Sequence, residues 1–203
     1  MKKVILLLAF LSFVSICSNA QTIKDIDYVS PFYEGYAAIK KGDQWAFIDK
    51  KGDIVVNFRG DLVITKSKDG SYPVFKSGRC LISTKKEGIK YFGYIDTKGN
   101  TVIKPEYLNA DNFVKNRAIA LKLLREDLGK NDVLGKNVIN YRYYEVIINS
   151  KGEVISYLNE KGTNVTLDKE YLRKPPKIKY QIISDNLVVY KNEDDTHSIK
   201  TIE

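Results

Sequence analysis

The chain is poor in the residues that most chemistry depends on. Its 203 residues include one His, two Cys, one Met, one Trp and five Pro. With His197 alone, a His-based metal cage would have to draw its other ligands from carboxylates, and two cysteines cannot build a four-thiolate zinc site. The sequence has no glycine-rich phosphate loop and no Gly-x-Ser-x-Gly nucleophile elbow. Paired carboxylates of a glycosidase meet only in three dimensions, so they are the one catalytic arrangement that spacing leaves open. The expectation is a chain with no catalytic residue, no metal and no cofactor.

Long apolar runs are also missing, with one exception. Val4 to Ile16 is apolar except for Ser12 and Ser15; it follows Lys2 and Lys3 and precedes the small residues Ser18-Asn19-Ala20. Charged start, short apolar middle and small-residue site are the parts of a secretory signal peptide over 1–20, cleaved after Ala20. A membrane-spanning helix needs roughly 20 apolar residues, so the run reads as a leader, and the protein as exported: periplasmic, secreted or on the outer surface. Cys17 opens a second reading, a lipoprotein tethered to a membrane, although Ile16 is bulky for the residue before a lipidated cysteine. If Cys17 leaves with the leader, Cys80 is the only cysteine left, and its apolar setting (Cys80-Leu81-Ile82) points to a buried, inert thiol.

The net charge of +8 falls to +6 once Lys2 and Lys3 are removed. The cations are dispersed; the densest group, Arg173, Lys174, Lys177 and Lys179, surrounds Pro175-Pro176 and reads as an extended connector. Without a basic stripe, and in an exported chain, nucleic acid is not the expected partner.

Repetition is what the sequence does have. Trp45 to Val56 recurs as Phe92 to Ile103 and, more loosely, as Tyr144 to Ile155, where an extra residue is read before the turn. Within each copy Asp49/Gly52, Asp96/Gly99 and Asn149/Gly152 frame a hairpin turn: the first side chain bonds backbone further on, and Gly takes positive φ in a bulge. Each copy is preceded by Phe32-Tyr33-Glu34-Gly35, Phe75-Lys76-Ser77-Gly78 or Phe113-Val114-Lys115-Asn116; Asn tolerates the left-handed region best after Gly. The flanks are β-branched and aromatic, and 14 Tyr against 8 Phe suits half-buried strands. The fold class is therefore all-β: tandem antiparallel meanders in an open curved array.

The copies span about 32–58, 75–107 and 113–157 of a repeat region over 21–176, and 177–203 reads as a capping segment. Asn159-Glu160-Lys161-Gly162 reads either as a degenerate hairpin over 157–172 or as coincidence. Leu124 to Asn140 reads as a long polar loop inserted in the third copy.

These residues resemble the WG-repeat proteins of bacteria. The second copy fits best, with Phe92-Gly93-Tyr94-Ile95-Asp96, Gly99, Val102-Ile103, Pro105 and Tyr107; the first has Ala46 where the signature glycine stands, and no copy holds the literal Trp-Gly pair. The resemblance implies tandem β-rich repeats and carries no catalytic residue over. Trp45, Phe47, Phe92, Tyr94, Tyr143 and Tyr144 are either a core ladder between repeats or, as the candidate site, an aromatic face that stacks on a sugar or a protein partner; Tyr28, Tyr33 and Tyr36 would extend it. The functional expectation is an exported non-enzymatic module binding a protein or glycan. The alternatives are an envelope-polymer hydrolase and a structural lipoprotein.

Overall fold

A computed structural model describes residues 22–130, 135, 137–165 and 172–202. The expected leader, Cys17 and Tyr171 lie outside the described residues, which contain no helix. The all-β expectation holds: every ladder is antiparallel.

The first meander is β1 (Tyr28–Val29), β2 (Tyr36–Lys41), β3 (Gln44–Asp49) and β4 (Ile54–Arg59), paired in that order. A small hairpin follows, β5 (Thr65–Ser67) and β6 (Gly70–Tyr72). The second and third meanders share one sheet: β7 (Cys80–Lys86), β8 (Ile89–Ile95), β9 (Thr101–Ala110), β10 (Arg117–Lys130), β11 (Asn137–Asn149) and β12 (Val154–Tyr157), with β13 (Thr163–Asn164) also on β11. The last is β14 (Tyr180–Ile182), β15 (Leu187–Lys191) and β16 (His197–Thr201). Among the described residues no ladder joins the first meander to the last.

Local chemistry sets both kinds of turn. Glu34-Gly35, Ser77-Gly78 and Lys115-Asn116 all have positive φ at both positions, and the flanking residues exchange both backbone hydrogen bonds, as at Tyr33 and Tyr36. This is the type I′ geometry that matches strand twist. At the second turn Asp49 Oδ1 accepts from the N–H of Lys51 at 2.8 Å and of Asp53 at 3.1 Å; Asp96 and Asn149 repeat both bonds within 0.1 Å of each other. Gly52, at φ +87°, closes that turn by donating its N–H to the Asp49 carbonyl at 3.1 Å, and Gly99 and Gly152 do the same toward Asp96 and Asn149.

The meanders stack because alternate residues of one strand enter different cores. Ala38, Trp45, Phe47 and Val56 pack against Cys80, Ile82 and Ile95. The other face of β7 and β8, with Leu81, Phe92 and Tyr94, packs against Ala118, Ala120, Val146 and Ile148. Ile119 and Ile147 then pack against Val188 and Ile202 of the last meander, which covers the third as a cap. β9 is the corner: its first half pairs with β8 and its second with β10, with register shifts in both ladders.

Three readings are corrected. Leu124 to Asn140 is not a free loop: β10 and β11 continue as a ladder through Asp127↔Ile139, with Lys130↔Asn137 beyond a bulge. Asn159 to Gly162 is not a hairpin, because β12 and β13 lie one after the other along β11, and the segment between them bulges out. Nor does an extra residue precede the third turn. Lys40↔Trp45, Ser83↔Phe92 and Leu121↔Glu145 are equivalent pairs, so Glu145 takes the place of the aromatic ring.

Candidate functional site

Five of the six rings expected to form a binding face are core. Phe47 and Tyr94 are 1 % and 0 % exposed, Trp45, Phe92 and Tyr143 are buried, and Tyr144 is half-buried beside Tyr157. The reason is the stacking itself. Phe75 covers Phe47 at a centroid distance of 4.4 Å, and Phe113 meets Tyr94 edge-on at 4.8 Å, so the phenylalanine ahead of the second and of the third type I′ turn seals the ring of the preceding meander. The Tyr94 hydroxyl donates to the Asp111 carbonyl at 2.6 Å, and burial pushes its pKa well up. Among the described residues these six rings therefore do not form one exposed stacking face; of them, Trp45 alone borders an open concavity.

The turn residues are also occupied. Burial opposes ionisation of Asp96, but hydrogen bonds from Asn100 and Lys98 outweigh it and hold the carboxyl below its usual range. Gly52 departs from its counterparts in one respect. A Cβ on Gly99 would press on Val56 at 3.3 Å and one on Gly152 on Ile103 at 3.2 Å, whereas one on Gly52 would meet nothing within 4 Å. The later two turns rest on the meander before them; among the described residues nothing lies beneath the first, so there the shared motif marks Gly52 for its backbone conformation. Among the described residues no group of three His, Cys, Asp or Glu is placed to hold a metal. Because Asn149 does the work of Asp49, Asp49→Asn should leave the thermal midpoint unchanged, while Asp49→Ala should cost about 1 kcal/mol in chemical denaturation. A calcium-dependent gain in wild-type stability that Asp49→Asn abolishes would contradict a purely structural turn. Burial pushes the Cys80 thiol far up, as an inert cysteine requires.

What remains open is the side of the first meander next to β5 and β6. Phe32 is 49 % exposed, whereas its counterparts Phe75 and Phe113 are 1 % exposed. Together with Tyr33, Thr65, Lys66, Tyr72 and Lys76 it lines a concavity of about 200 Å³. A shallower one of about 460 Å³ is lined by Asp27, Tyr28, Lys40, Trp45, Asp69, Gly70 and Ser71. Asp69 borders both.

Aromatic edges and cations alternate across this surface. Tyr28 sits edge-on to Trp45 at 5.9 Å and leans on Tyr72 at 6.2 Å. The Lys40 ammonium lies over the Trp45 ring, and the Lys76 ammonium over Tyr33 at 4.4 Å. Gly70, at φ +136°, lets β6 approach: a Cβ there would stand 3.1 Å from the Tyr28 hydroxyl. Tyr28 and Tyr33 were legible in the sequence as additions to an aromatic face. Phe32 was not, because its motif is the same as that of two buried phenylalanines.

Glu145 was missed as well. It is 3 % exposed, and its Oε2 accepts from the backbone N–H of Lys179 at 2.9 Å and of Tyr180 at 3.4 Å, tying down the entry to β14. Its signal was a charge at a position that is aromatic in the other copies. Burial raises its pKa, and the two backbone donors and nearby Lys179 pull back.

Comparison with known proteins agrees with the repeat. No curated protein matches the chain. A solved structure, the computationally designed Ika4 protein, is similar at 15 % identity and a TM-score of 0.37, over 90 % of this chain and 94 % of its own. A family model described as the WG containing repeat matches residues 24–45, from the approach to β1 into β3, and residues 92–122, from β8 through the β9 corner into β10. The chain is thus a β-repeat module that matches the WG containing repeat over those two segments.

Proposed function

We propose that this chain is an exported, non-catalytic binding module that takes a protein or glycan partner outside the cytoplasm. The surface flanking β5 and β6 is its contact site. The observation that carries the reading is Phe32: a residue type buried in the later copies is left half in solvent, next to Tyr33, Tyr28 and two concavities. Exposed rings with polar neighbours are the usual anchors of a recognition surface. Among the described residues the carboxyls with raised pKa, Asp111 and Glu145, line neither concavity, which speaks for binding rather than hydrolysis there. Export rests on the leader-like residues 1–20, and N-terminal sequencing of the mature protein checks it: Gln21 is the expected first residue.

Glycan arrays and pull-downs from envelope extracts, run with wild type and with Phe32→Ala and Tyr28→Ala, test the site. Each substitution should weaken capture at least tenfold, about 1.4 kcal/mol, and Phe32→Ala should do so with no change in melting temperature. Retained capture by both variants, or turnover of a polymer by pure protein, would refute the proposal.

A further inference from the structure

We infer that β16 is a pairing edge for a second copy of this chain, forming a two-fold dimer through a continuous six-stranded sheet. This goes beyond the binding site proposed above and uses the opposite part of the fold. Register makes Ile199 equivalent to Phe47, Tyr94 and Ile147, since these face Val189, Ala38, Leu81 and Ile119 in turn. The first three are at most 1 % exposed, whereas Ile199 is 65 % exposed. In the first three meanders the outer edge of the corresponding strand is paired, by β4, β9 and β12. Among the described residues nothing pairs with that edge of β16.

The direction of the backbone groups fixes how a strand could add. Asn192 N–H donates to Thr196 O and Ile202 N–H to Asn186 O, so Thr196, Ser198, Lys200 and Ile202 turn their backbone groups toward β15. In an antiparallel ladder the alternate residues then point outward: His197, Ile199 and Thr201 present their N–H and C=O to the open edge. A two-fold axis at Ile199 pairs all three at once, Ile199 with its own copy and His197 with Thr201. It also sets Lys200 against Ser198, so no like charges oppose across the seam. Lys200 Nζ is already drawn inward to the Leu158 carbonyl at 3.1 Å, and Lys191 is paired with Asp195. Two chains of net charge +8 can therefore meet along this strand without opposing cations. An unpaired edge with an exposed apolar side chain is a ready template for such addition.

Sedimentation equilibrium of the full chain is the test. A seam of one strand from each copy is small, so the dimer should form at about micromolar to 100 µM protein. Ile199→Pro removes only an outward N–H and should leave far-UV circular dichroism intact, while lowering self-association at least tenfold. Should that variant misfold, Ile199→Lys, which puts like charges at the axis, should give the same loss. A wild type that stays monomeric through 100 µM, one that grows past a dimer, or folded variants that dimerise like wild type would each overturn the inference.

Discussion

Replacing Gly93 by alanine is expected to lower the melting temperature by on the order of 10 °C. A Cβ there would lie 2.6 Å from Pro105 N and 2.7 Å from Lys104 C, and closer still to Ile103 O. All three are main-chain atoms of the β9 corner, so no side chain can swing away, and the strand itself must move. Forced backbone shifts in a packed core cost about 1–3 kcal/mol or more, and for a chain of this length each kcal/mol moves the midpoint by roughly 2–4 °C. The same position in the first meander carries Ala46, fully buried without harm. The difference lies in the bulge. Between Trp45 and Phe47 the partner strand inserts one extra residue, since they face Arg59 and Val56; between Phe92 and Tyr94 it inserts two, since they face Tyr107 and Ile103. The wider arch, which holds Pro105, folds down over Gly93. Ala46→Gly should therefore change stability by less than about 1 kcal/mol. Equal melting temperatures for wild type and Gly93→Ala in a thermal scan would refute this account of the signature glycine.

The sequence made visible whatever is written within a few residues. The Asp-x-x-Gly and Phe-x-x-Gly turns, the meander they impose and the inert Cys80 all follow from local backbone chemistry, and the structure bears them out. Contacts between copies were not visible. Arg59 donates to the Gly99 carbonyl and Tyr107, at the equivalent place, to that of Gly152, yet a guanidinium and a phenol share no sequence pattern. Gly52 carries the same motif as those two glycines, and among the described residues no such partner stacks on it, a difference that follows from the order of the meanders. Leu124 to Asn140 looked like a loop because the stretch is long and polar and carries Gly129 and Gly135. The ladder carries on past Arg125↔Tyr141 and Asp127↔Ile139 to Lys130↔Asn137, with Gly129 in the bulge and Gly135 beyond the last pair. The aromatic residues showed the same limit. Period two placed Phe47 and Tyr94 correctly on one face of each meander, but only the stack decides that this face is internal. At Phe32 and Ile199 nothing among the described residues stacks on the same face, and chemically ordinary positions become exposed there.

Glu145→Ala should loosen the last meander by about 1–2 kcal/mol, since it strips a charged acceptor from the backbone N–H groups of Lys179 and Tyr180 in a partly buried seam. Hydrogen exchange at β14 to β16 should rise well before that of β8 or β10. Charge gives this contact a pH dependence. Burial raises the folded-state pKa of Glu145, and it raises that of Asp111 to about 6, with Glu145 adding to the rise. A carboxyl whose pKa is higher folded than unfolded binds protons on folding, so its contribution is full in mild acid and is lost as pH climbs from about 4 through about 6. Asp111 is exposed over much of its surface, so water screens its share of the effect, and Glu145 adds to it in the same direction. Glu145→Gln keeps an acceptor and removes the charge. It should match or exceed wild-type stability at pH 7 and lessen the loss of stability as pH rises. If wild-type stability instead rises across that window in parallel with Glu145→Gln, or if Glu145→Ala leaves exchange in the last meander unchanged, the carboxylate is not what fastens the cap to the stack.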